Sequence, residues 1–518
     1  MKPSKRSVLP AIVSLVVSVV VSLALGGCAT SALDMAPKSP DQPWAPATGA
    51  HGEIVPGAPA VAPPAGARDY TLPANTALAN VPVPPEIDPE HEYSLAELID
   101  IAQSNNPLTR TAWNDAREAA LAAGIVRSSY LPYLAASAVG AHQNVHNNTS
   151  STGPNVNVTS AEGVVAALSV QWLLFDFGER TAILNAAKQG SVIANIGFTA
   201  AHQHVIHAVS LAYYAEGAAR ARVSTAARTL KNTQEVQVAA EERFAHGIGT
   251  TVEVAQARQA TAQARLLQVQ ADGAAEDAYQ ALIAAIGISP LTQIKIAQIA
   301  DRKLPAPATD SIDRIVSDAL GRRPDVLAAY AAQLASEEKV RAARAEFLPK
   351  VFASGTAAYN SGNTNLTALP ALGNVPATVN ITGNRWNFTV FAGITVPLYD
   401  GGMRAAVLEQ ARAKADNAAT MLTHTREEAV HQIVVAQNGL RTALSAHEAS
   451  TSLALAAQTT FDAALTAYRN GVGSITDATV SEIQLLQADN AETDSYSAAL
   501  SAAATLALAV GALGSAPQ

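Results

Sequence analysis

Cysteine is almost absent: Cys28 is the only one among 518 residues, so no disulfide can form within the chain and its stability has to come from packing. Long apolar runs are also missing beyond residue 28, so no later segment reads as a membrane-spanning helix. If the mature chain crosses a bilayer, it must do so with strands, because only helices and closed barrels satisfy the backbone there. Charge is sparse and leans acidic, at −9 net with no sustained basic run, which argues against a nucleic-acid partner. No nucleophile–base arrangement, phosphate loop or metal-ligand box can be found, so neither catalysis nor a cofactor is expected. Proline is unevenly spread. Many of the 27 crowd between Pro37 and Pro89, whereas none falls from Gly178 to His246 or from Gly402 to Asn470.

What is present begins with a secretion signal. Lys2, Lys5 and Arg6 precede an uncharged, largely apolar stretch from Ile12 to Leu25, and Leu25-Gly26-Gly27 leads into Cys28. A membrane-spanning anchor is one reading. A bacterial lipoprotein leader over residues 1–27 fits better, with Cys28 becoming the acylated first residue and Ala29, rather than Asp, directing it to the outer membrane. Residues 28–92 then form the lipidated, Pro/Ala-rich tether, an extended segment with no core of its own. Ordered structure is expected from about Tyr93, where Ser94 and Glu97 make a capping box.

The rest of the chain contains itself twice. Asn105-Asn106-Pro107 recurs as Arg322-Arg323-Pro324, and Tyr130-Leu131-Pro132 as Phe347-Leu348-Pro349, both 217 positions on. Leu174 to Arg180 recurs as Leu398 to Arg404 at an offset of 224, which holds through Phe244/Tyr468, Gly247/Gly471, Glu253/Asp477 and Gly287/Gly511. Seven extra residues therefore enter between Pro349 and Leu398. A register kept this long implies rigid elements of fixed length. The copies are expected at 93–290 and 312–515, joined by a linker at 291–311.

Each copy reads helix, strand, strand, very long helix, tight turn, helix. The proline-free stretches predict helices of roughly 69 residues, or about 100 Å. In the second, Val407, Ala411, Ala415, Ala418, Leu422, Ala429, Ile433, Ala436 and Leu440 step by three and four as one stripe to be buried, with Thr425 filling its gap. Alanine dominates it, so neighbouring helices must supply the burial. Between Pro132 and Phe175, and between Pro349 and Tyr399, the period changes to two. Val164, Ala166, Leu168, Val170 and Trp172 alternate in the first copy, as do Trp386, Phe388, Val390, Ala392, Ile394 and Val396 in the second. Strands of about ten residues suit a tilted crossing of a bilayer. The segments 146–160 and 361–383 read as exposed loops. A periplasmic two-sheet domain is the alternative. Four strands cannot close a membrane barrel alone, so closure would need several subunits.

The turns are encoded twice: Gly247-Ile248-Gly249-Thr250 and Gly471-Val472-Gly473-Ser474. Glycine ends each long helix and a Thr250-x-x-Glu253 or Ser474-x-x-Asp477 box starts its return. Glu253 and Asp477 are caps on one reading. On the other they are acidic gate residues at a tunnel mouth, favouring cations. His204 and His207 share a helix face, but no acid or cysteine completes a ligand set, which favours a solvated surface. Trp172 and Trp386 read as lipid-facing or interfacial, or as core if there is no barrel. Asp176 with Arg180, and Asp400 with Arg404, are expected to organise the strand-to-helix junctions.

With its duplicated Tyr-Leu-Pro/Phe-Leu-Pro corners, Asp-x-Gly-x-Arg junctions and Gly-x-Gly turns in this order, the chain resembles the outer-membrane efflux (TolC-like) channel proteins, in their lipidated branch serving drug or metal efflux. The resemblance spans about residues 93–515. It implies an α+β membrane protein whose homotrimer forms a 12-stranded outer-membrane β-barrel continued by a periplasmic α-helical barrel. It also implies a periplasmic adaptor (membrane fusion) protein docking at the tips and an inner-membrane pump. One departure lies at the tip, where some members carry an acid three positions after Asp477 and a basic residue four before it; here these are Val480 and Gly473. The duct of a type I protein secretion system, or a lipid-anchored structural coiled-coil protein without a pore, are the alternative functions.

Overall fold

The computed structural model describes residues 87–147, 157–298, 303–304, 311–362, 368–369, 378–379 and 386–514, together with 36–37, 39–40, 44–55, 70–72, 74–75 and 77–79. Cys28 and the leader lie outside the described residues. The chain divides into two units, Met1–Pro84 and Pro85–Gln518. In the first, strands β1 (Ala47–Thr48) and β2 (Ile54–Val55) form a small antiparallel ladder. Gly52, at φ 79°, supplies the left-handed residue of its turn.

In the second unit, β3 (Glu92–Tyr93) leads to helix α1 (Leu95–Asn105), where Ser94 and Glu97 form the expected capping box. Asn106 caps α2 (Pro107–Ser128), whose first residue is the proline that a helix tolerates at its start. Strands β4 (Tyr133–Asn147) and β5 (Asn157–Phe175) follow, then α3 (Glu179–Ala245) and its antiparallel return α4 (Thr251–Ile286). β6 (Lys295–Ile296) pairs in parallel with β3. The chain then repeats the pattern with α5 (Ile312–Leu320), α6 (Pro324–Ala345), β7 (Lys350–Gly362), β8 (Ala368–Leu369), β9 (Thr378–Val379), β10 (Trp386–Thr395), α7 (Met403–Arg469) and α8 (Ile475–Ala509). Helices α3 and α7 are both 67 residues long.

The four long strands make one antiparallel sheet in the order β10-β7-β5-β4, so the two halves of the chain meet at the β5–β7 seam. At 15, 19, 13 and 10 residues, three of them exceed the ten read from the alternation, because pairing continues into the flanking Asn/Thr/Gly-rich segments. Within 361–383, β8 and β9 form a further short ladder where a loop was expected.

Side chains divide unequally between the faces. Leu134, Val170, Gly355 and Val390 form one cross-strand row; Ala136, Leu168, Ala357 and Phe388 form the next; Ala138, Ala166, Tyr359 and Trp386 a third. This apolar face is bare, with Trp386 and Phe388 73% and 80% exposed. The opposite face carries rows such as Ala135, Ser169, Thr356 and Thr389, or Tyr133, Gln171, Ser354 and Phe391.

The two largest buried clusters among the described residues hold the long helices. One gathers Leu98 and Ile99 of α1, Val205, Ile206 and Tyr214 of α3, Leu282, Ile283 and Ile286 of α4 and Leu500 of α8 around the β3–β6 pair. The other lies towards the turns, where Val236 and Ala240 of α3 pack with Phe461, Leu465 and Tyr468 of α7 and Leu485 of α8. The expected stripe on α7 is buried from Leu422 onward, at Ala429, Ile433, Ala436 and Leu440. Its first third is not: Val407 remains 38% exposed, and Ala411, Ala415 and Ala418 are half-buried. Helix α6 packs along α7 but leaves that stretch partly exposed.

Candidate functional site

Both long helices end in the same backbone device. After α3, Gly247 takes φ 74°, and the amides of Ile248 and Gly249 both donate to the carbonyl of Arg243 at 3.0 Å. After α7, Gly471 takes φ 78°, and Val472 and Gly473 donate to the carbonyl of Ala467 at 3.0 and 3.1 Å. These bonds satisfy carbonyls that a helix end leaves open, and only glycine adopts the left-handed step cheaply. Thr250 and Ser474 then cap α4 and α8. Ile248 and Val472 point outward as bare apolar knobs.

The acids at the two tips do different work. Asp477 closes a full capping box: its carboxylate accepts from the Ser474 amide at 3.3 Å and hydroxyl at 2.8 Å, while its own amide donates to Ser474 Oγ at 3.1 Å. Glu253 makes no reciprocal bond. Its amide donates to Thr250 Oγ1 at 3.2 Å, and its carboxylate instead accepts from the Tyr468 hydroxyl at 3.4 Å. Tyr468 is only 1% exposed, and burial, reinforced by the Glu253 charge, raises its phenol above the ordinary value. Arg243 lies over its ring at 5.0 Å and donates to the Tyr468 and Ile248 carbonyls at 3.3 and 3.4 Å. Arg243, Tyr468 and Glu253 thus tie one tip to the other.

The sequence singled out Glu253 but neither Arg243 nor Tyr468. A signal was available in the repeat itself. Tyr468 matches Phe244, and the residue before each is Ala467 or Arg243. The two tips therefore differ where they touch. Val480 sits exposed on α8 beyond Asp477.

The junctions behind the sheet are organised as expected. Arg180 Nε donates to Asp176 Oδ2 at 2.7 Å, and Nη1 reaches the carbonyls of Ser129 and Leu173 at 3.0 and 2.7 Å. The guanidinium also covers the Tyr130 ring at 4.7 Å. Asp400 and Arg404 repeat the pair at 2.9 Å in a more open setting. Gly178 and Gly402 adopt φ 95° and 91°, turning each strand into its helix. Phe177 holds a left-handed φ of 52° where its counterpart is Gly401, and it meets Phe175 edge-on. Trp172 Nε1 donates to the Tyr130 carbonyl at 2.9 Å, fastening β5 to the corner. His207 bonds Thr505 of α8 at 3.1 Å, and burial lowers its pKa from the ordinary value. Among the described residues no group of three His, Cys, Asp or Glu side chains is placed to hold a metal. None of the described helices is long and apolar enough to cross a membrane.

A sheet with one bare apolar face, carrying two very long helical hairpins with glycine tips, points to a class: outer-membrane proteins. Residues 98–288 and 315–512 match the family described as outer membrane efflux protein, and the chain belongs to that family. Protein CyaE of Bordetella pertussis is 28% identical over 376 residues, covering 71% of this chain and 73% of CyaE. Outer membrane protein OprJ of Pseudomonas aeruginosa is 26% identical over 381 residues, covering 74% and 76%. A crystal structure of a membrane protein from Pseudomonas aeruginosa shares the fold at a TM-score of 0.69 and 24% identity, over 80% of this chain and 93% of that one. The protein is an outer membrane efflux protein, and members of its family are channels rather than enzymes.

Proposed function

We propose that three copies assemble into a duct for small molecules such as drugs or metal ions, with a 12-stranded barrel in the outer membrane and an α-helical tunnel beneath it. The observation that carries this reading is the sheet: apolar rows exposed on one face, and β4 and β10 each leaving an edge unpaired among the described residues. Unpaired edges are intolerable in hydrocarbon and are removed by pairing β4 of one protomer with β10 of the next. The partly exposed first third of the α7 stripe and the bare Leu121 and Ile125 of α2 call for neighbours in the same way. On this reading residues 93–290 and 312–515 are the two copies of the efflux unit, 291–311 links them, and Cys28 anchors the 28–92 tether through its acyl groups. Purified protein should run in mild detergent at three times the protomer mass and give discrete conductance steps in a planar bilayer. Each protomer should carry acyl groups that Cys28→Ser removes. A folded monomer without conductance would overturn the reading.

The tips at Gly247–Thr250 and Gly471–Ser474 dock the periplasmic adaptor, which couples the duct to an inner-membrane pump. Their matched geometry, outward Ile248 and Val472, and place at the ends of the longest helices support this. Glu253 and Asp477 line the mouth as a gate. Because Asp477 is engaged in its cap and Glu253 only in the Tyr468 contact, Glu253 is the freer charge. The double variant Glu253→Gln, Asp477→Asn should weaken cation preference and block by multivalent cations in single-channel recordings. Glu253→Gln alone should account for most of the change. Unaltered selectivity in both variants would leave these residues as helix-start groups only.

A further inference from the structure

Helices α3 and α8 run antiparallel, and acidic side chains of α8 meet α3 in a ladder. Arg222 pairs with Asp494, and Arg228 with Asp489. One rung nearer the tip the pattern breaks. Glu482 is 2% exposed, yet its partner on α3 is not a cation but Asn232, whose Nδ2 donates to Oε2 at 3.1 Å and to Oε1 at 3.3 Å. Thr229 supplies a second hydrogen bond from the same helix. A buried carboxyl with only neutral partners favours its protonated form, because desolvation penalises the charge far more than a carboxamide compensates it.

The charged groups that reach Glu482 are few. From α3 there is Arg228, already committed to Asp489, and from α8 there is Asp489 itself. What α7 and α4 bring to the surrounding core is Ala457, Phe461, Leu465 and Ala257, all apolar; Tyr468 is the one titratable group among them, and its phenol is raised. Among the described residues, no cation besides the already paired Arg228 acts on Glu482.

We propose that Glu482 is a pH-sensitive latch: protonated, it fastens the tip-side end of α8 to α3, and ionised, it loosens that contact. Burial pushes its carboxyl from the ordinary 4.5 to about 7, against the hydrogen bonds from Asn232 and Thr229. A loosened, hydrated carboxyl would titrate near 4.5 again. Between these values the packed form holds a proton that the loosened form releases. The contact is therefore strongest below pH 4.5, weakens as pH rises to about 7, and changes no further above it. Across the whole window the packed-to-loose ratio should fall on the order of 100-fold. Neutral pH, where a periplasmic surface works, is then the upper edge of the window, so mild acid tightens the tip.

Glu482→Gln keeps the shape and removes the titration. Infrared spectra of the detergent-solubilised protein should show a protonated-carboxyl carbonyl band at pH 5 that fades by pH 8 and is missing in the variant. Amide hydrogen exchange across 475–490 should be the same in both proteins at pH 5, and faster in the native protein at pH 8. Thermal midpoints should diverge in the same direction, with the variant the more stable at pH 8. These measurements need no pore, so they succeed or fail separately from the duct reading. Absence of the band at pH 5, or an exchange difference that stays constant from pH 5 to pH 8, overturns the latch.

Discussion

Arg180→Ala is expected to destabilise the protein by about 3–5 kcal/mol, the usual cost of stranding one member of a buried ion pair. Asp176 would keep bonds from the Gly178 and Arg180 amides at 3.3 and 3.0 Å but would lose its paired guanidinium. The carbonyls of Ser129, Leu173 and Leu174 would lose their shared donor as well. These belong to the end of α2 and the end of β5, so one side chain holds strand, corner and long helix together. Arg180→Lys should recover little, because a single ammonium cannot serve several acceptors in a planar fork. Arg404→Ala is the internal comparison. That pair is more exposed, and its ring contact with Phe347 is longer, at 5.7 Å. Its cost should be markedly smaller. Denaturant or thermal unfolding in detergent would check the contrast, and equal losses would mean that the first junction is not the organising one.

Export should collapse when Gly249 and Gly473 are replaced by valine, with assembly and membrane insertion intact. A Cβ on Gly249 would sit 2.8 Å from the Phe244 amide nitrogen and 3.0 Å from the Arg243 carbonyl carbon, and neither backbone atom can step aside without opening the turn. On Gly473 it would meet Ala467 Cβ at 3.0 Å and the Tyr468 nitrogen at 3.1 Å. Gly249 should therefore be the more sensitive position. Gly247→Ala is the milder control: it meets open space and carries only the left-handed penalty of about 1–2 kcal/mol. Minimum inhibitory concentrations in an efflux-deleted host, read beside crosslinked oligomer yield, separate lost docking from lost assembly. Normal export in the valine double variant would remove the tips from the docking surface.

The helices were legible because their signals are local. An unbroken run without proline, a glycine at each end and a Ser-x-x-Asp box fix where α7 and α8 stop and start. The junction pairs were legible too, since Asp176 and Arg180 lie one helical turn apart. Strand order was not, because period-two alternation says which face a residue takes but not which strand it joins. The β5–β7 seam depends on contacts between distant parts of the chain. The stripe on α7 misled in part: periodicity marks a face but not how fully it is covered, and from Val407 to Ala418 it stays partly exposed. Glu482 carried no warning, since a glutamate on a helix reads as solvated until Asn232, 250 positions earlier, is found opposite it. Equivalence between the copies also hid a difference, for Phe244 is half exposed while Tyr468 lies at the centre of the tip core.

The equal 67-residue lengths of α3 and α7 restrict how such a chain can change by insertion or deletion. One added residue in α3 would turn everything beyond it by about 100° and move its tip about 1.5 Å past the tip of α7. Arg243 would swing off Tyr468, and the Arg222 and Arg228 rungs would face the wrong side of α8. Only additions near seven or eleven residues restore the facing side chains, and those lengthen one hairpin by a whole step. Length can then drift only when both hairpins gain or lose the same step together, whereas the strand-to-strand loops can vary residue by residue.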